Sequence, residues 1–483
     1  MTKFEVVIGL ETHIQLNTTT KIFCGCKADS WVDPPNTNIC PICTGQPGVL
    51  PVLNGVVVEK AMLLADAMHA AIQPLSFFDR KNYFYPDLPK GYQISQYDMP
   101  VARNGYIDLP LPGHAEGKPA ERHIRINRLH IEEDAGKTKN EKNYRLIDFN
   151  RCGVPLIEMV TEPDLRSSEE AAQYVIRLRQ LLRWLKISEA DMERGHLRCD
   201  ANVSIRLVGA DYLNPKTEIK NVNSIDALRN AIDKEIERQV REVEAGNQIE
   251  TWTLEWDADE GILRKMRSKE TEADYRYFRE PDLLAIRISP EWQAEALKAS
   301  AERPLDRRQR FMTEYNLPEY DADILTSERS LSDYYEKAVT AYGGDPKRVS
   351  NWLMNDVMRM LNDASMTADQ LKLSPEYLAE IIKLVDANTV NTSTGKSLLD
   401  KVQTSGKAPA QLVADEGLAQ VRDDSQIRKV CQDLLAKYPD EVASYKAGKV
   451  TLIGWFVGQV MREMRGKADP AMAKSVLEEL LNQ

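Results

Sequence analysis

The chain has 483 residues, more than a single hydrophobic core organises, so two to four domains are expected. Apolar residues make up 42% and no run of 18 of them exists, which is the composition of a soluble globular protein and excludes a membrane-spanning helix. The formal charge of -11 excludes a protein that coats itself non-specifically with nucleic acid, so any nucleic-acid partner must be met by local basic patches. The opening MTKFEVVIGLE has no charged-then-apolar leader, and a reducing cytoplasm is the expected location.

In chain order, the first element is VVIGLETHIQL, residues 6 to 16. At the two-residue period of a strand it sets Val7, Gly9, Glu11, His13 and Gln15 on one face and Ile8, Leu10, Thr12, Ile14 and Leu16 on the other. The polar face reads either as the solvated side of an amphipathic strand or as the floor of a site where a carboxylate and an imidazole converge on a shared ion or substrate. Next come Cys24-x-Cys26 and Cys40-x-x-Cys43 around the turn-rich connector KADSWVDPPNTNI. In a reducing compartment two close thiol pairs suit tetrahedral zinc, and four thiolates fill its sphere, so the site is structural. A helix is expected from about Asn54, and residues 80 to 98, with Pro86, Pro89, Gly91 and five aromatic rings, read as a shaped loop.

Further strands carry more acids. RHIRINRLHIEEDAGK alternates to place His123, Arg125, Asn127 and Leu129 together, with Glu132, Glu133 and Asp134 at its end. YRLIDFNRCGVPLIEMVTEPD holds Asp148, Glu158, Glu162 and Asp164, and Glu158 sits in an apolar run where a lone acid needs a partner or a cation. The pattern Ser167-x-x-Glu170 starts a helix. LRCDANVSIRL and TEIKNVNS then add Asp200, Asn202, Glu218, Lys220 and Asn221. So many carboxylates on strands suggest a basin on a large mixed sheet. They repel one another unless a cation neutralises them, and magnesium is the economical choice. Imidazole prefers softer ions, so His13 fits magnesium less comfortably and reads as a water-mediated ligand or as a residue just outside the ion's direct coordination.

From about Pro290 the periodicity turns helical: ERPLDRRQRFMTEY, SERSLSDYYEKAVTAY, PKRVSNWLMNDVMRMLN and SPEYLAEIIKLVDA predict a bundle whose core takes Trp352, Leu353, Val357 and Met360. TSTGKS resembles the tail of a phosphate loop, but Val390 stands at its first glycine and a helical pattern precedes it, so it reads as a turn and helix start. The segment from about Thr404 is again helical. Between Tyr445 and Lys467 it carries Lys446, Lys449, Arg462, Arg465 and Lys467 against Glu463, a local basic island.

GLETHIQL, the four cysteines, RKNYFYPDLPKGYQISQYD, HIEEDAGK, DFNRCGVPLIEMVTEPD, CDANVSI, EIKNVNS and DYRYFREPDL together resemble the B subunits of bacterial aspartyl/glutamyl-tRNA amidotransferases, in order and over the whole chain. The resemblance implies an α+β protein: a large mixed and antiparallel-sheet cradle at 1–292, an all-α helical domain at 293–404, and a small all-α, YqeY-like tail at 405–483 that touches tRNA. It implies a carbon–nitrogen ligase that amidates Glu-tRNA(Gln) or Asp-tRNA(Asn), using ATP to phosphorylate the side-chain carboxylate and ammonia to displace the phosphate. By resemblance, Glu11, His13, Glu133, Glu158 and Glu218 hold magnesium, with Glu132 as the alternative to Glu133, and Lys220 contacts phosphate. No serine-rich amidase signature is visible, so ammonia comes from a separate, amidase-type glutaminase subunit, with a small third subunit completing a heterotrimer. Two rivals stand beside this reading: a metal-dependent enzyme acting on another carboxylate, and a tRNA-binding scaffold with a zinc knuckle.

Overall fold

The computed structural model describes residues 4–110, 121–268, 272–420, 424–464 and 468–482. The chain divides into two compact units, Met1–Leu305 and Asp306–Gln483. In the first, nine strands share one sheet: β1 (Phe4–Gln15), β2 (Ala71–Ile72), β3 (Ala102–Pro110), β4 (Glu121–Glu133), β5 (Pro155–Thr161), β6 (Leu197–Leu207), β7 (Thr217–Lys220), β8 (Trp252–Asp257) and β9 (Ile262–Ser268). Their spatial order is β9-β8-β7-β6-β1-β5-β4-β3-β2. The β7–β8 pair is parallel and the other neighbours are antiparallel, so the sheet is mixed, with the alternating N-terminal strand at its centre.

The alternation of β1 separates two environments. Ile8, Leu10, Thr12 and Ile14 are buried, while Glu11, His13 and Gln15 keep partial exposure on the other face. The apolar face continues through Leu129, Ile131, Ile157, Met159, Ala201, Val203 and Ile219. Against it pack α1 (Gly55–Ala67), α2 (Ser168–Trp184) and α3 (Ile225–Glu244). Fully burying an aliphatic side chain of this kind contributes about 1.5–3 kcal/mol, so this face fixes which side of each strand is left for chemistry. Side-chain oxygens of Asn54, Ser167 and Ser224 accept the first free helical N–H groups and set where the three helices begin. The Ser167 capping box is half formed, because the Glu170 carboxylate accepts from Arg166 N at 2.7 Å instead of reaching back to Ser167.

Strand β4 does not keep one alternation. Opposite β5, Val160 pairs with Arg128 but Thr161 pairs with Ile126, so a bulge inserts one residue. Ile124 and Ile126 are buried before it, Leu129 and Ile131 after it. The expected grouping of Leu129 with His123, Arg125 and Asn127 is therefore corrected: Leu129 joins the core, and Arg128, His130 and Glu132 take the polar face. Residues 80 to 98 fold partly into a hairpin, Asp79–Asn82 paired with Tyr92–Ser95, around a turn where Gly91 adopts φ 74°.

The second unit is helical among its described residues. Trp352, Leu353, Val357 and Met360 are buried in one apolar cluster with Ile381, Ile382 and Leu398. A second cluster joins Ile427, Cys431, Phe456, Val460 and Leu477. TSTGKS lies at the start of the helix Thr392–Ser405, capped by Asn391. A Cβ on Gly395 would meet Val385 Cγ2 at 2.6 Å and Trp352 Cη2 at 3.0 Å, so this glycine serves close helix packing. No described helix is long and apolar enough to cross a membrane.

Candidate active site and cysteine centre

Strand register assembles the polar face. Glu11 lies opposite Asp200, His13 opposite both Glu158 and Arg198, and Glu158 opposite His130. Directly opposed residues have Cβ atoms about 4.5–5.5 Å apart, so these side chains meet across the strands. His13 Nε2 stands 3.6 Å from Glu158 Oε2, 3.8 Å from Glu11 Oε1 and 3.9 Å from Glu132 Oε1. His130 Nε2 is 3.2 Å from Glu158 Oε2 and 3.8 Å from Glu132 Oε2. The lone acid of VPLIEMV is thus paired with two imidazoles.

The group's charges are tightly interdependent. Burial pushes the Glu158 carboxyl up, but the charges and hydrogen bonds of His130 and His13 outweigh it and hold the group well below its ordinary range. Burial pulls the His130 imidazole down, and the Glu158 and Glu132 carboxylates overcome that to raise it to about 9. His13 is raised in the same way, against its own burial, chiefly by Glu158. Glu132 is lowered despite burial, through His130. At Glu11 burial and the Glu158 charge act together and raise the carboxyl.

A cavity of about 480 Å³ opens onto this group and is also lined by Lys81, Tyr277, Arg198, Glu218 and Lys220. Lys81 is half-buried, and the Glu132 and Glu158 charges keep its ammonium favoured against desolvation. At the other edge Lys220 Nζ pairs with Asp200 at 2.6 Å and with Glu218 at 3.3 Å, and Glu218 accepts from Thr253 Oγ1 at 3.2 Å.

The residues fit a divalent cation in two overlapping groups: His13, Glu132 and Glu158, and Glu11, His13 and Asp200, each with its donor atoms within 4.8 Å of one another. The carboxylate oxygens of these sets suit a hard cation such as magnesium, and the His13 imidazole is the member that suits softer ions better. Of the residues expected from sequence, Glu11, His13 and Glu158 come together. Glu218 and Lys220 stand at the cavity's edge. Glu133 does not join: its carboxylate pairs with Lys90 and accepts from Ile94 N at 2.9 Å, and Glu132 takes the place beside His13.

Cys24, Cys26, Cys40 and Cys43 also converge, all four sulfurs within 4.8 Å of one another. Tetrahedral zinc at about 2.3 Å from each sulfur sets them roughly 3.8 Å apart, so the cluster fits the ion with little movement. A hydrogen bond with Cys24 is the main cause that lowers the Cys43 thiol to about 5, helped by the Cys40 N–H and the Lys21 ammonium. The thiol that binds metal as thiolate is thereby partly prepared.

Sequence reasoning missed His130, Lys81 and Arg198 as site residues. One signal was present: His130-x-Glu132 mirrors Glu11-x-His13, two chemical side chains on one strand face.

Similarity to known proteins agrees with this architecture. The family described as the GatB/GatE catalytic domain matches residues 6–294, and the GatB domain family matches residues 333–481. The aspartyl/glutamyl-tRNA(Asn/Gln) amidotransferase B subunit of Persephonella marina is 45% identical over 479 residues, covering 99% of this chain and 100% of that protein. Proteins of the same name from Thermodesulfovibrio yellowstonii and Thermotoga maritima are 45% identical over 482 residues, 100% of both chains, and 44% identical over 485 residues, 99% of both chains. A profile covering more than half of the chain and relatives aligned from end to end give one conclusion: the chain belongs to the GatB family, the B subunits of aspartyl/glutamyl-tRNA(Asn/Gln) amidotransferases.

Proposed function

We propose that this chain carries the ATP-dependent amidation of Glu-tRNA(Gln), Asp-tRNA(Asn) or both, with a separate glutaminase subunit supplying ammonia and a small third subunit completing the assembly. The observation that carries the reading is the convergence of Glu11, His13, Glu132 and Glu158 on one sheet face, beside Lys81 and Lys220.

A carboxylate is a poor acyl donor because oxide leaves badly. In the proposed reaction a side-chain carboxylate oxygen attacks the γ-phosphorus of ATP, ADP departs, ammonia attacks the acyl carbon, and phosphate leaves with that oxygen. Glu11, His13, Glu132 and Glu158, with Asp200 and Glu218 nearby, would hold magnesium, which when bound would supply positive charge against the transferring phosphoryl group. Lys220 contributes a cation for phosphate oxygens from the Asp200 side, and Lys81 contributes one from the opposite wall. His130 holds Glu158 and Glu132 ionised and oriented, a positioning role. The tetrathiolate zinc site is structural in this reading.

The tail from residue 405 belongs to the proposal as a tRNA-contacting domain. Lys446, Lys449 and Arg462 of the basic island lie in or beside the helices Pro439–Lys446 and Leu452–Glu463, while Arg465 and Lys467 lie outside the described residues. The rival of another carboxylate substrate is separated by one assay. The purified chain, alone and with its glutaminase and small third partners, is given glutamyl-tRNA(Gln), ammonium chloride and ATP, with and without magnesium. The proposal expects amide only when charged tRNA, ATP and magnesium are all present; amide formed without ATP overturns it.

A further inference from the structure

Among the described residues Lys21 is the only lysine or arginine that is buried, and none of its surface is exposed. An ammonium in that position is strongly disfavoured unless an anion meets it, and the usual anion is a carboxylate. No carboxylate of the described residues pairs with Lys21. Its Nζ stands 3.7 Å from Cys43 Sγ and donates to Asn38 O at 2.9 Å. Gly153 leaves room for this approach: a Cβ there would lie 3.3 Å from Cys43 Cβ and 3.7 Å from Lys21 Cδ. The backbone adds another tie, Lys21 N donating to Cys26 O at 2.8 Å, so one residue reaches both cysteine pairs.

The charge of the centre accounts for the placement. A divalent ion in four thiolates leaves two negative charges in excess, and away from water that excess needs a cation as much as a buried cation needs an anion. Cys43 is the buried member of the four, the other three being half-buried, and it also accepts from Cys40 N at 3.2 Å. The ammonium therefore stands beside the sulfur that water reaches least. An N–H group donating to a metal-bound sulfur stabilises the thiolate and lowers the energy of its donor electrons.

We infer that Lys21 is the charge-compensating residue of the cysteine centre, its ammonium stabilising the metal-bound Cys43 thiolate and thereby retaining the ion. The inference rests on the proposed zinc assignment and on no step of the amidation.

The test uses the full chain, stripped by a chelator and reloaded with zinc, or with cobalt as a coloured substitute. Lys21→Met keeps an unbranched stem and removes the charge. Its zinc affinity, measured by competition with a chromogenic chelator, should fall roughly 10–100-fold. Its sulfur-to-cobalt charge-transfer band should also move to lower energy, which loss of the N–H···S bond predicts and loss of packing does not. Lys27→Met, which removes an exposed cation from the same connector, should leave both readings at wild type. If Lys21→Met does not fold, Lys21→Gln, polar but uncharged, carries the test on zinc affinity, with the same fall expected. Zinc affinity within about twofold of wild type in a folded Lys21 variant overturns the inference. Weakened affinity with an unmoved cobalt band in Lys21→Met makes Lys21 a packing residue and also overturns it, as does an equal loss in Lys27→Met. A wild-type chain that takes up neither zinc nor cobalt overturns the zinc assignment itself.

Discussion

Replacing Glu158 by glutamine removes one negative charge from a buried group without changing its size. The carboxylate sits 3.2 Å from His130 and 3.6 Å from His13. His130 titrates at about 9 in the fold. Against about 6.5 in an unfolded chain, that difference corresponds to roughly 3 kcal/mol. Because the folded value is the higher one, this stabilisation is complete below about pH 6.5 and is lost as pH rises through 9. Glu158→Gln forfeits the larger carboxylate share of it, and the lost charge-assisted bond is worth about 1.5–3 kcal/mol. Urea unfolding in the presence of a chelator measures this. Wild type should exceed the variant by about 2 kcal/mol near pH 6, and the gap should close as His130 deprotonates. In the proposed reaction the same substitution would also remove a magnesium-binding carboxylate, and a loss of about 3 kcal/mol of charge stabilisation would lower kcat roughly a hundredfold. A stability gap that does not change with pH refutes the electrostatic account of the His130–Glu158 pair. Full ATP-dependent amidation by the variant refutes the basin as the reaction site.

Glu132→Gln should lower kcat at least about tenfold by weakening metal binding; Glu133→Gln, which meets Lys90 and the Ile94 N–H, should change thermal stability more than turnover. Equal kcat losses in the two would contradict this division. Cys43→Ser should take zinc content, read by atomic emission, from one per chain to near zero with a drop in melting temperature; unchanged stability on zinc loss would argue against a structural role. Removing the residues after 404 should raise the tRNA KM far more than it changes kcat, and an unchanged KM would remove the tail from tRNA binding. Gly395→Ala should destabilise the second unit by about 1–3 kcal/mol through overpacking against Val385 and Trp352, with the ATP KM unaltered. A raised ATP KM in a stable Gly395→Ala protein would reinstate the phosphate-loop reading.

Much of this site was legible because strand period and ligand chemistry act locally. The alternation around Glu11 and His13 stated which face would be buried, and the structure places Ile8, Leu10 and Ile14 in the core accordingly. Cysteine spacing around a turn-rich connector was enough to bring four sulfurs together. What could not be read is what depends on pairing between distant strands. The β4 bulge at the Ile126–Arg128 step reverses the alternation after it, so a reading that held one period through Leu129 put that residue on the polar face and left His130 and Glu132 off it. Nothing within RLHIEED announces that bulge. Likewise Lys81 and Tyr277, nearly two hundred residues apart, share a cavity only because Asp79–Asn82 pairs with Phe278–Arg279. Asp200 gained its place beside Glu11 from the β1–β6 register.

The central claim is that the basin turns a side-chain carboxylate into an acyl phosphate before ammonia attacks. Glutamyl-tRNA(Gln) labelled with oxygen-18 at both side-chain carboxylate oxygens tests it directly. In the complete complex with ATP and magnesium, each amide formed should be accompanied by one inorganic phosphate carrying a single oxygen-18, read by mass spectrometry. Amide formation accompanied by unlabelled phosphate would contradict the account.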